Sequence, residues 1–146
     1  MSQLSDLARP FPDDFIQAPP KGKYGEFVSH SEVTQWLLLH AGPFSFEVTT
    51  LFREVMPIKG KDREVVTGCL GRLTIEIDGR TVIIVEPGDC ENPGNWPTDG
   101  ARAKDAASDA IKRCAMRVGA GLHLWAQSRY FLRRKLLETQ QEAPDA

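Results

Sequence analysis

The stretch "VVTGCLGRLTIEIDGRTVIIVE", residues 65–86, decides the fold. Residues 65–77 are dominated by β-branched and apolar side chains and read as a strand. Asp78-Gly79 then supplies the two positive-φ positions of a type I′ hairpin turn. "TVIIVE" (81–86) returns as the second arm. Upstream, "FSFEVTTLFREV" (44–55) has the same aromatic and β-branched character, and "MPIKGKDRE" separates it from the hairpin with a proline, a glycine and mixed charge. Three strands joined in order predict an antiparallel meander.

Helices flank it. In "SHSEVTQWLLLHAG", Ser29 with Glu32 fits a capping box. Val33, Trp36, Leu37 and His40 recur at helical spacing and Gly42 can end the helix, which predicts a helix near 30–41. After the polar loop "PGDCENPGNWPTDG" (87–100), an alanine-rich segment predicts a second helix, with Asp99 as N-cap, running to about Val118 and yielding at Gly119 and Gly121. "LHLWAQSRYFLRRKLLETQQ" reads as one further helix. The sum is an α+β fold: a three-stranded antiparallel β-meander packed by a long α-helix, a β-β-β-α core with an N-terminal and a C-terminal helix. Residues 1–23, with four prolines, read as a flexible, mostly extended arm whose Phe11, Phe15 and Ile16 can dock on the domain or a neighbour. Residues 24–139 read as one domain and 140–146 as a loose tail.

Composition bounds the function. The chain has 146 residues, 41% hydrophobic and 26% charged, which suits one soluble domain. No run approaches the length needed to span a bilayer, and "MSQLSDLARPFPDD" lacks the pattern of a signal peptide, so a cytoplasmic location and no membrane partner are expected. Cys69, Cys90 and Cys114 are widely spaced, without a CxxC pair, and read as reduced thiols, Cys69 and Cys114 within the core. His30, His40 and His123 form no ligand motif, and no metal or other cofactor is expected. Asp89, Glu91 and Asp99 cluster around the polar loop; a two-metal nuclease is one reading of them, a solvated loop the other. The glycines there lack the lysine-serine pair of a phosphate-binding loop.

The net charge of −2 hides an asymmetry. Between Arg102 and Lys135 stand nine Lys or Arg against Asp105 and Asp109 alone. Such a segment points to a local anionic partner, nucleic acid first, with a solvated basic helix as the alternative. On a helical wheel, Ala103, Ala106, Ala107, Ala110, Ile111, Cys114 and Val118 form one stripe able to lie close to a sheet. Asp105, Asp109, Arg113 and Arg117 form a row, in which Asp109 can hold Arg113 in a pair contributing about 0.2–0.5 kcal/mol. Lys112 and Arg113 project side by side and suit phosphate contact. Cations in the last turns also complement the helix dipole without any ligand. Arg102 and Lys104 belong to the same basic segment. "KGKDR" (59–63), with Lys59, Lys61 and Arg63 at a hairpin tip, is a second candidate surface. Trp96 is a candidate stacking platform, while Trp36 and Trp125 read as core.

The helix "DAASDAIKRCAMRVGAG" resembles the signature helix of the Rad-fifty-two family of single-strand annealing proteins, a S/T-D-x-L/I-K-R-A-x-x-x-x-G pattern. "YGEFVSHSEVTQWLLLHAGPFSFEV" is similar to that family's capped first helix, "GRLTIEIDGRTVIIVE" to its middle hairpin, and "RVGAGLHLW" to the glycine-rich helix end of the phage and actinobacterial branch. The resemblance spans residues 24–128. It implies a protein that binds single-stranded DNA and anneals complementary strands without ATP, acting in recombination and repair rather than as an enzyme. It implies a homo-oligomeric ring or helical arc with DNA in a basic groove, working beside a single-strand-binding protein or an exonuclease. Lys112 and Arg113 stand in the motif and are the implied inner-groove contacts. In eukaryotic members a third basic residue lies three positions after the motif Arg, where this chain has Met116; Arg117 stands one residue later. A first-helix Arg of the family falls at Glu32, leaving Lys21, Lys23 or His30 as replacements. The rival without DNA is an interaction module anchored by Trp125, Tyr130 and Phe131.

Overall fold

The computed structural model describes residues 2–16 and 28–142. Its elements are α1 (Gln3–Leu7), α2 (His30–Ala41), β1 (Ser45–Ile58), β2 (Lys61–Ile77), β3 (Arg80–Asp89), α3 (Asp99–Arg117), α4 (Leu122–Ala126) and α5 (Leu132–Glu142). The architecture is α+β with one antiparallel sheet in the order β1-β2-β3. The chain divides into two compact units, one of residues 45–75 and 82–114, the other of residues 1–44, 76–81 and 115–146. The Asp78-Gly79 turn falls in the second of these units, with the amino-terminal residues it bonds.

In the sheet unit the strands outrun their sequence signals. The "KGKDR" segment narrows to a two-residue turn, Lys59 at φ 50° and Gly60 at φ 80°, so that Ile58 pairs directly with Lys61. Pro57 is accommodated because β1 is an edge strand. Two register shifts, between Val48 and Thr50 and between Phe52 and Arg53, irregularise that edge. Along β2 the alternation puts Cys69, Leu73 and Ile75 in the core. Against them α3 presents Ala106, Ala110 and Cys114, all with no exposed surface. The approach is close enough to need glycines. A Cβ on Gly88 would stand 2.2 Å from the Ala106 carbonyl oxygen and 2.5 Å from the Ala110 nitrogen, and one on Gly71 would strike Phe46.

The helical unit corrects the reading of the N-terminal arm. Residues 2–16 are not an extended strap: Gln3–Leu7 form a helix, and Leu7, Ala8 and Phe11 are buried. The helix start is closed from far along the chain, since the Asp78 carboxylate accepts from the Gln3 and Leu4 N–H groups at 2.7 and 3.3 Å. The Gln3 side chain returns a bond to the Asp78 N–H. Trp36 lies in the core as read, its indole donating to the Leu7 carbonyl at 3.1 Å. Phe11 meets the Trp36 ring edge-on at 5.0 Å and the His123 ring at 5.2 Å. Gly119 and Gly121 adopt positive φ and end α3, as the sequence implied. The single C-terminal helix is instead broken: α4 stops at Ala126, Gln127 takes φ 52°, and α5 starts at Leu132 and runs into residues read as tail. Trp125, read as core, is 55% exposed. The Ser29 hydroxyl donates to the Glu32 carboxylate and caps no backbone N–H, so the serine arm of the capping box does not form.

Candidate nucleic-acid interface

Helix α3 positions the basic residues. Its first N–H groups are capped by Thr98, whose Oγ1 accepts from Ala101 N at 3.1 Å, and not by Asp99. Asp99 lies inside the helix start and acts as a hub. It accepts from Val66 N–H (3.2 Å), from Arg102 (2.9 Å) and from Arg53 (3.2 Å). The Val66 N–H, and then the Arg102 guanidinium, hold its carboxyl below the ordinary value near 3.8.

Further along, the acidic row binds the strand that faces it. The Asp109 carboxylate accepts from Asp89 N–H at 2.9 Å and from Arg113 Nε at 3.1 Å; Asp105 accepts from Glu91 N–H at 3.0 Å. The predicted Asp109–Arg113 pair therefore forms, and its acid is itself fixed by the sheet. Lys112 and Arg113 are half-buried on the same turn, and Lys104 is exposed near the helix start. Arg117, exposed on the last turn, belongs to the helical unit.

Arg102 does not present its charge to solvent. It is 6% exposed and spends its guanidinium inside the protein, Nε on the Pro93 carbonyl at 2.8 Å and Nη2 on the Trp96 carbonyl at 2.8 Å. That removes it from the candidate contacts and makes it the clasp of the 93–98 loop. Between this loop and the β1–β2 turn lies a cleft of about 490 Å³. Lys59 and Arg63 line it; Lys61, exposed on the same turn, does not. The structure thus brings Lys112 and Arg113 together on one helix turn, and Lys59 and Arg63 together at the cleft. Lys21 and Lys23 lie outside the described residues.

The loop carboxylates are engaged as structural acceptors or apart: Asp99 as above, while Asp89 and Glu91 are tied to α3 through their backbones. Among the described residues no three His, Cys, Asp or Glu side chains converge as a metal ion needs. The three thiols are all buried, Cys90 with them, and burial pushes Cys90 and Cys114 up to about 11. Two structural roles escaped the sequence, the Asp99 hub and the Arg102 clasp. Their one signal was the loop itself: prolines at 93 and 97 supply carbonyls but no N–H donors, and a nearby arginine can satisfy such oxygens. Compared with known proteins, the chain matches no family model and no curated protein.

Proposed function

We propose that this chain binds single-stranded DNA and promotes ATP-independent annealing of complementary strands, as a homo-oligomeric ring or helical arc of the Rad-fifty-two type. The observation that carries the reading is the pair Lys112 and Arg113 on a helix locked to the sheet, with Arg113 held by an acid that the Asp89 N–H also holds. Fixed cations suit phosphate contact, which is independent of sequence and sensitive to salt. Oligomerisation multiplies such weak contacts into avidity. β1 suits assembly: it is a long edge strand with Val48, Leu51, Phe52 and Val55 exposed. A single-strand-binding protein or an exonuclease is the natural companion, and the cytoplasm the natural compartment. Among the described residues no helix is long and apolar enough to cross a membrane.

The test is binding of labelled oligo-dT across a salt series, with strand annealing followed without ATP. Affinity should fall steeply with salt, and Lys112→Ala/Arg113→Ala should anneal poorly while staying folded and oligomeric. Full activity of that variant removes the site. The exposure of Trp125 and Phe131, 55% and 59%, favours the interaction module as second reading. It predicts no oligonucleotide binding at low salt, whereas magnesium-dependent cleavage would mark a nuclease.

A further inference from the structure

The cleft between the β1–β2 turn and the 93–98 loop is not used by the contacts assigned to α3. Its volume of about 490 Å³ lies within the range of small-ligand sites. Ile58 and Val65 give it apolar walls, and Trp96 stands at its side, 37% exposed. The indole N–H is already taken by the Glu91 carbonyl at 3.2 Å, so the ring has its π-surface left to offer a ligand. The walls are bonded to each other. Arg102 holds the carbonyls of Pro93 and Trp96, and Asp99 holds Arg102 and the Val66 N–H. A pocket built this way needs little reordering on binding.

The charge selects the ligand class. Asp99 and Arg102 neutralise one another in the floor, leaving Lys59 and Arg63 against Glu64 among the lining residues. One surplus positive charge matches one phosphodiester and disfavours a triphosphate. An aromatic platform beside it matches a nucleobase, since every base has a face to stack.

We propose that this cleft receives one unstacked nucleobase of a bound single strand, stacked on Trp96, with its phosphodiester between Lys59 and Arg63. This rests on the single-strand reading above and adds a base-binding point to a site that otherwise grips phosphates. Holding one base aside while its neighbours stay free sets the register of the strand on each subunit.

The experiment titrates the full chain with oligo-dT and with an abasic oligomer of equal length, by fluorescence anisotropy at fixed salt. Trp96→Ala should weaken oligo-dT about tenfold and leave the abasic oligomer unchanged, and Trp96→Phe should recover most of the loss. Lys112→Ala/Arg113→Ala should weaken both oligomers. Thermal melts of each variant confirm the fold, and Trp96→Phe carries the comparison if Trp96→Ala melts early, through the quenching of indole fluorescence by oligo-dT. Equal oligo-dT affinity of wild type and Trp96→Ala overturns the cleft and leaves the α3 site standing. If wild type binds neither oligomer, the single-strand reading falls. Free dTMP then decides the cleft: quenching that vanishes in Trp96→Phe supports base binding there, and absence of quenching overturns it.

Discussion

Arg102 shows how much one side chain can be mistaken from sequence. A lone arginine amid alanines reads as a surface cation, yet this one is buried and organises a loop through two carbonyls and one carboxylate. Its fork geometry is what serves three acceptors at once. Arg102→Ala should lower stability by about 2–3 kcal/mol in urea unfolding, because it strands loop carbonyls and removes bonds to a charged donor. Arg102→Lys should recover little of this. Asp99 adds a pH signature. Its folded carboxyl is depressed, first by the Val66 N–H, so its stabilisation is fully present above about 3.8 and is lost as pH falls through the lower folded value. In a pH series of unfolding midpoints, the gap between wild type and Asp99→Asn should be constant above pH ~5 and close below ~3.8. The thiols were legible, since Cys69 and Cys114 sit in apolar patterns; Cys90, in a polar loop, gave no such sign. With Cys90 and Cys114 raised to about 11 by burial, only about one in a thousand of either is thiolate at pH 8. A disulfide reagent should label none of the three quickly in the native protein and all three in urea.

At the scale of elements, what depended on local pattern was readable. The Asp78-Gly79 turn adopts φ 52° and 78°, as that dipeptide implied, and the alanine stripe of α3 faces inward. What depended on distant partners was not. α1 has five residues, too few for periodicity to show, and its first N–H groups are closed by Asp78 from the hairpin. The break after α4 falls at Gln127, a residue type with no turn signature. The candidate site divides in the same way. Asp109 with Arg113 is an i,i+4 pair and was visible, while the Asp89 N–H that fixes Asp109 comes from another element. The closeness of α3 to the sheet makes Gly88 a sharp test. Gly88→Ala places a methyl group into helix backbone, with no flexible side chain to yield, and should cost about 1–3 kcal/mol or more in thermal or urea unfolding. Ser108→Ala, removing only a bond to the Lys104 carbonyl on an exposed face, should change stability by less than about 0.5 kcal/mol.

For the molecule as a whole, the basic segment of the sequence divides among α3, α5 and the turn before α5. Assembly, the property that the proposed annealing needs, is assigned to β1. Val55 is 68% exposed there, so Val55→Lys should leave the unfolding midpoint nearly unchanged while shifting the sedimentation profile to smaller species, and annealing should fall with it. The sequence could not reveal the division into two units, because it follows from which segments meet and not from composition. Each unit is assembled from pieces that the chain visits, leaves and revisits, with passages near residues 44, 75, 81 and 114. Residues 45–114 contain the sheet unit whole, whereas the helical unit is drawn from both sides of them and from the hairpin tip between. During synthesis α1 and α2 emerge before the sheet unit, and the segment from residue 115 onward that shares their unit emerges after it. Leu7 and Trp36 can meet each other early, but the unit that buries them is complete only after the whole sheet unit has been made.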